Sequence, residues 1–314
     1  MLILSTIIPP QAIQKEMERK FPNEQFVYRK GWDEDYLSKA EILITYGEDL
    51  TEAEIQKAGQ LKWIMVMSAG LEKMPLSTIA AQNILVTNAR GIHKIQMAEY
   101  TIGVLLQYEK RLKRLIAQEE KGVWDRKLMM GELAGKKMAV LGTGAIGGEI
   151  ARLAKAFRME TIGVNRSGRS VEHVDRMYRM EELDAVLAEA DYVVSILPST
   201  PETRHLLQPE HFKRMKKSAV FVNLGRGDLV KSEDLMDALQ KGEIAHAFLD
   251  VFDQEPLKPD HPFWTMDNVT VTPHVSSKTD QYLPRSFRIF EENFKEYTTG
   301  GENYINRIDL EKGY

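Results

Sequence analysis

The chain has 314 residues, 43% hydrophobic and 28% charged, which excludes a disordered tail protein, a collagen-like repeat and a coiled-coil rod. A formal net charge of -4 leaves no overall basic field for nucleic acid or an anionic membrane. The absence of cysteine removes disulfides, thiol catalysis and cysteine-ligated zinc together. The length predicts two domains, each able to bury its own core. The expectation is a soluble, cytoplasmic protein with no nucleic-acid partner, no membrane partner and no metal site.

Met1–Pro10 reads as a buried strand ended by Pro9-Pro10, since no basic segment precedes its apolar run and no small-residue cleavage site follows. Further strands are predicted at Gln25–Arg29, Glu41–Thr45, Lys62–Met67 and Ile84–Thr87, separated by polar, helix-prone stretches. One of these, Thr51–Ala58, opens with Thr51 and Glu54 in capping-box spacing. Strands alternating with helices imply a parallel sheet covered on both faces. From Met97 to about Gln118 the spacing predicts a single helix with Ile102, Leu105, Tyr108, Leu112 and Leu115 on one face. Its basic cluster Lys110–Arg114 reads as a solvated face. Trp63 and Trp124 are expected as packing anchors, with a contact between two copies as the alternative for either. Met129 and Met130 are expected to fill core or interface gaps.

A second series begins near Lys137, with six strands at Met138–Leu141, Thr161–Val164, Tyr192–Leu197, Ala219–Asn223, His246–Asp250 and Asn268–Thr272. An amphipathic helix is expected from about Asp280 to Thr298. Directly after the first of these strands comes Gly142-Thr143-Gly144-Ala145-Ile146-Gly147, opening a helix to about Arg158. In that strand–turn–helix setting the glycines predict a dinucleotide phosphate site. Gly142 permits the tight turn, Gly144 has no side chain to obstruct a pyrophosphate, and Gly147 lets helix pack on strand. The helix N-terminus supplies free N–H groups and a positive dipole end.

A site for NAD normally places Asp or Glu at the end of the next strand, on the ribose 2′-hydroxyl. Here the strand ends Val164-Asn165-Arg166-Ser167, with no carboxylate to repel a 2′-phosphate. Arg166 can pair with that phosphate, and Asn165 and Ser167 can donate hydrogen bonds to it. NADP(H) is therefore favoured, with NAD(H) and a merely solvated basic turn as the alternative. Leu197, Pro198 and Leu224, at strand ends, are placed in the cofactor lining. Thr203 is either a cofactor contact or a structural element of its loop.

Three later strands are each followed promptly by a reactive residue: Arg226 between Gly225 and Gly227, Glu255 before Pro256, and His274 after Pro273. Ligands of open α/β sheets bind outside the carboxyl ends of strands, so these residues should converge. His274 is the expected acid–base group, Glu255 its orienting carboxylate, and Arg226 a bidentate binder of a substrate carboxylate. Asp250 could accept a hydrogen bond from a nicotinamide carboxamide. His93, His173, His205, His211 and His261 show no metal-ligand spacing, and His246, opening a strand, reads as a core or edge position.

Gly142–Gly147, Val222–Val230, Leu249–Pro256 and Val271–His274 together resemble the D-isomer-specific 2-hydroxyacid dehydrogenases. Ser68–Leu71, Asn88–Gly91 and Met97–Glu99 extend the resemblance over about residues 60–275. The NADP-type turn is closest in type to glyoxylate/hydroxypyruvate reductases. The resemblance implies two doubly wound α/β domains, with a Rossmann cofactor domain (98–277) inserted in a smaller flavodoxin-like substrate domain (1–97 plus 278–314). It implies Arg226, Glu255 and His274 as the catalytic set, the backbone of Ala69 and Gly70 on the substrate carboxylate together with Arg226 and His274, and a homodimer. The reaction it implies is hydride transfer from NADPH to a small 2-oxo acid, giving the D-2-hydroxy acid. Glu255 stands where formate dehydrogenases of the superfamily carry Gln. The stretch after His274 is too short for the regulatory domain of many phosphoglycerate dehydrogenases, although short ones remain open. A nucleotide-sensing regulatory protein on the same fold is the alternative from another class.

Overall fold

The computed structural model describes residues 1–31, 33–68, 70–71 and 73–310. The chain divides into two compact units: Met1–Ile92 with the C-terminal stretch from Thr279 onward, and His93–Lys278. In the first unit β1 (Leu2–Ser5), β2 (Gln25–Tyr28), β3 (Ile42–Thr45), β4 (Trp63–Val66) and β5 (Leu85–Asn88) alternate with α1 (Gln11–Lys20), α2 (Glu34–Leu37), α3 (Glu52–Lys57) and α4 (Leu76–Ala81). The strands form one parallel sheet in the order β2-β1-β3-β4-β5, the flavodoxin-like arrangement. Alternate residues serve two cores. Leu4, Leu43 and Ile64 face one side, while Ile3, Ile42, Ile44, Trp63 and Met65 face the other. Burial on both faces is why these strands read as unbroken apolar runs. At the start of α3 the backbone N–H of Thr51 donates to Glu54 Oε2 at 2.8 Å, as its capping-box spacing predicts.

The second unit opens with α5 (Lys94–Glu109) and α6 (Leu112–Glu120), followed by β6 (Lys137–Leu141), α7 (Ala145–Ala156), β7 (Glu160–Val164), β8 (Arg176–Tyr178) and α8 (Leu183–Glu189). The chain continues through β9 (Tyr192–Ser195), α9 (Pro209–Arg214), β10 (Val220–Asn223), α10 (Ser232–Gln240), β11 (His246–Leu249) and β12 (Val269–Val271). The sheet is parallel, in the order β12-β11-β10-β9-β6-β7-β8, so strand order reverses between β6 and β9. That reversal is the Rossmann switch point. The chain then returns to the first unit as α11 (Tyr282–Thr298), whose Phe287, Phe290 and Phe294 join the core around Trp63. Trp63 is the expected anchor: it is fully buried, stacks on Phe290 at 5.2 Å and donates Nε1–H to Thr87 Oγ1 at 3.0 Å.

Three sequence expectations are corrected. The helix from Met97 to Gln118 is two helices, because Arg111 takes a left-handed φ of 51°. The returning chain caps the break: Gly131 N–H donates to the Glu109 carbonyl at 2.9 Å, and Lys110 Nζ donates to the Gly131 carbonyl at 2.8 Å. After the break α6 buries none of its residues, so Leu112 and Ile116 are exposed. The second sheet has seven strands rather than six. The unforeseen one, β8, is a three-residue edge strand that opens on Arg176, too short and too polar to show a period. Trp124 and Met129 are 90% and 83% exposed, and Met130 is exposed too, so none of them fills the core of this chain.

His246 opens β11 among Tyr108 and Phe248, with Nε2 3.0 Å from Thr270 Oγ1. Burial, reinforced by Lys113 and Arg111, lowers its pKa to about 4, so the fold favours the neutral ring. Asp267 lines the same cavity. Stability from this ring is complete above its unfolded pKa near 6.5 and is lost as pH falls toward 4. Urea denaturation at pH 7, 5 and 4 should show wild type losing up to about 3 kcal/mol that His246→Gln retains.

Candidate active site

The glycine loop sits at the carboxyl end of β6, where the switch point opens the sheet. Gly142 takes a φ of 97°, which an L side chain rarely adopts. A Cβ on Gly147 would lie 2.1 Å from the Gly142 carbonyl oxygen, so α7 could not pack here with any larger residue. A Cβ on Gly144 would meet nothing within 4 Å. The outer side of the loop is thus open, beside the first N–H groups of α7, which have no intrahelical partner. This cradle fits a pyrophosphate. Ala145 and Ile146 begin the helix, and Thr143 is buried with its hydroxyl accepting from Asn165 Nδ2 at 3.0 Å.

The turn after β7 departs from expectation at Asn165. Its Oδ1 accepts from the N–H groups of Ser167 (3.1 Å) and Gly168 (2.7 Å), and its Nδ2 donates to Thr143 and to the Arg169 carbonyl. The side chain is spent on shaping the turn and has no free donor for a phosphate. Arg166 and Ser167 are exposed beside it. Thr203 resolves to its structural alternative: its hydroxyl donates to the Pro198 carbonyl at 2.6 Å and accepts from Thr200 N–H at 2.8 Å. Leu197 and Leu224 have buried side chains in the two cores, leaving only backbone for a ligand, while Pro198 is exposed.

The strand ends of β10, β11 and β12 are neighbours, so the residues that follow them share one sheet edge. Glycines bring those loops into backbone contact. A Cβ on Gly225 would lie 2.5 Å from the Leu197 carbonyl oxygen, and one on Gly227 would lie 1.8 Å from the Phe252 carbonyl carbon. Arg226 is held between them, its carbonyl accepting from Asn223 Nδ2 at 3.0 Å. Its guanidinium is exposed, with no ion-pair partner among the described residues. Glu255 Oε1 accepts from Phe252 N–H at 3.0 Å, which leaves Oε2 to meet His274 Nδ1 at 2.8 Å. The imidazole and carboxylate line an apolar cavity of about 360 Å³ with Phe252, Leu257, Trp264 and Val271.

His274 adopts a left-handed φ of 53°, a conformation that a non-glycine residue holds only when its surroundings dictate it. Asp250 dictates it. Its carbonyl accepts from His274 N–H at 2.9 Å. Its carboxylate, fully buried, accepts from Thr272 Oγ1 (2.6 Å), Val275 N–H and Ser276 N–H (both 2.9 Å). Thr272 has one hydroxyl proton and gives it to Asp250, so Tyr100 on α5 donates to Thr272 at 2.6 Å. Burial raises the pKa of the Tyr100 phenol, which keeps that donor protonated. Asp250 therefore ties down the loop that carries His274. Nothing in the sequence pattern signalled Thr272 or Tyr100, because their link spans 172 positions.

Of the expected substrate contacts in the first unit, Ala69 lies outside the described residues. Gly70 is exposed, and its carbonyl accepts from Ser68 Oγ at 3.0 Å. Among the described residues no cluster of His, Asp and Glu could hold a metal ion, and no helix is long and apolar enough to cross a membrane.

Residues 102–276 match the family described as D-isomer specific 2-hydroxyacid dehydrogenase, NAD binding domain. The chain belongs to that family. It is 34% identical to a glyoxylate reductase of Aeropyrum pernix, over 87% of this chain and 86% of the relative. It is also 34% identical to a D-3-phosphoglycerate dehydrogenase of Methanocaldococcus jannaschii, over 86% of this chain but 52% of that longer protein. Among solved structures it resembles an NADPH-dependent glyoxylate/hydroxypyruvate reductase from Sinorhizobium meliloti in complex with NADP and sulfate. That likeness has a TM-score of 0.79 at 26% identity, covering 100% of this chain and 99% of the other. The protein is thus a nicotinamide-dependent 2-hydroxyacid dehydrogenase on two parallel α/β sheets.

Thr272→Val keeps the shape of the side chain but removes both the donor to Asp250 and the acceptor for Tyr100. Equilibrium unfolding should show a loss of about 1–3 kcal/mol, the cost of leaving buried polar groups unpaired. An unchanged midpoint would contradict the role given to this hydrogen-bond chain.

Proposed function

We propose that the enzyme reduces a short 2-oxo acid of the glyoxylate or hydroxypyruvate type to the D-2-hydroxy acid, with NADPH as the favoured cofactor. The observation that carries the reading is the 2.8 Å Glu255–His274 pair at the same sheet edge as the exposed, glycine-flanked Arg226. Gly142–Gly147 would hold the pyrophosphate, and Arg166 with Ser167 the ribose end. The nicotinamide, when bound, supplies the hydride that forms the new C–H bond at C2. Arg226 clamps the substrate carboxylate through its planar fork and polarises the adjacent carbonyl. His274 gives its proton to the carbonyl oxygen as charge develops there, and Glu255 holds the ring in orientation. The preference for NADPH rests on the absence of a carboxylate at the end of β7, and the NADP-bound relative supports it.

A phosphorylated substrate is the weaker alternative. Lys73, the single cation in the 68–74 segment, already pairs with Glu48 at 3.5 Å. We also assign the homodimer contact to the stretch from Leu112 to Met130. Its Leu112, Ile116, Val123, Trp124 and Met129 are large apolar side chains left exposed by this chain, the kind of surface that marks a contact with another protein. Charges of both signs on the same stretch (Lys113, Arg114 and Lys121 with Glu119 and Glu120) can complement one another across a twofold axis. Sedimentation should show a dimer that Trp124→Asp turns into a monomer; a monomeric wild type would remove this assignment.

The experiment for the activity is loss of nicotinamide absorbance with NADPH and NADH side by side, against glyoxylate, hydroxypyruvate, pyruvate, a branched-chain acid, an aromatic acid and phosphohydroxypyruvate. Turnover should be fastest with the short unphosphorylated acids and NADPH. Arg226→Ala should lower kcat/KM by about 100-fold or more while NADPH binding stays within about twofold. Tight cofactor binding without turnover of any acid would favour a nucleotide sensor instead.

A further inference from the structure

We propose that Arg179 is a specificity-determining residue that, together with Arg166, grips the 2′-phosphate of the cofactor's adenosine; this rests on the NADP(H) reading above. The placement follows from sheet register. β7 and β8 are parallel with Val164 opposite Tyr178, and Asn165 N–H donates to the Tyr178 carbonyl at 3.2 Å. Asn165 and Arg179 are therefore the first residues beyond the ends of adjacent strands. The turn carrying Arg166 and the backbone of Arg179 leave the sheet side by side.

Gly168 fixes where the Arg179 side chain goes. This glycine takes a φ of 68°, and a Cβ built on it would lie 2.9 Å from Arg179 Cγ and 3.4 Å from Nε. The stem of Arg179 thus lies across the Asn165–Arg169 turn, in the space that a side chain at residue 168 would fill. The turn itself carries Arg166 and Arg169, both exposed, beside the Arg179 stem, and among the described residues none of the three forms an ion pair. The acids facing them are few. Glu182 is engaged by the Arg179 backbone N–H at 2.9 Å, and Glu202, hydrogen-bonded with Thr200, feels the Arg166 charge from the opposing loop. Like charges gathered without ion pairs of their own are relieved by a dianion, and guanidinium forks match a phosphate's oxygens. Asn165 sets the turn but has no donor left over, so the grip falls to the arginines.

The test is calorimetric titration with adenosine 2′,5′-bisphosphate and with 5′-AMP, which differ only by the 2′-phosphate. Wild type should bind the bisphosphate at least tenfold more tightly. Arg179→Ala should weaken the bisphosphate by about tenfold and leave 5′-AMP within about twofold, the size of one charge-assisted contact. Arg179→Lys should recover part of the loss, and the melting temperatures of both variants should match wild type, since the side chain is exposed. If Arg166→Ala weakens the bisphosphate while Arg179→Ala leaves it unchanged, the role of Arg179 is overturned. Equal affinity of wild type for the two nucleotides would instead overturn the NADP(H) reading itself.

Discussion

A buried carboxylate that, among the described residues, forms no ion pair organises the chemistry of this protein. Asp250, fully enclosed at the end of β11, gathers one hydroxyl and two backbone N–H groups from the Thr272–Ser276 segment, and its own carbonyl takes a third N–H. A buried polar group is costly when left without partners, and here three hydrogen bonds offset that cost. The consequence is a loop held in one shape. That shape includes the left-handed conformation of His274, which aims Nδ1 at Glu255. Removing the carboxylate would release the strain and with it the aim of the ring.

The second constraint is absence of side chains. Gly225 and Gly227 stand where any Cβ would collide with the backbone of Leu197 or Phe252, so the loops after β9, β10 and β11 close on one another. Arg226 emerges from that junction with its guanidinium hydrogen-bonded to the Gly225 carbonyl at 2.9 Å and, among the described residues, without an ion pair. The same logic sets the cofactor loop, where Gly147 allows α7 to approach β6 and Gly144 leaves the outer surface open. Strand order decides position and glycine decides distance; the reactive side chains follow from the two together.

Much of this was legible in the sequence because it rests on local pattern. Buried parallel strands announce themselves as apolar runs, and Gly142–Gly147 after such a run identifies a phosphate cradle. Arg226, Glu255 and His274 stand out because each follows a strand end. The missing pieces depend on contacts between distant positions. Asn165 reads as a free donor and Thr203 as either a cofactor contact or a loop element; both are consumed by their own turns. The partners of Asp250 within the chain, Thr272, Val275 and Ser276, lie too far along the sequence to be read from it. The break at Arg111 leaves no trace in the helical period, since Leu112 and Leu115 continue the spacing while the backbone turns away. Edge strand β8 is too short to carry a period at all.

One role stands at the centre of the site: Asp250 holds the loop that positions His274. The most direct measurement is to determine kcat and the dissociation constant for NADPH in Asp250→Asn beside wild type. Asparagine puts an amide donor against the Ser276 N–H and loosens the loop. The account predicts that kcat falls at least about tenfold while NADPH affinity changes by no more than about twofold. Loss of NADPH affinity with kcat preserved would contradict it, and would make Asp250 a cofactor contact after all.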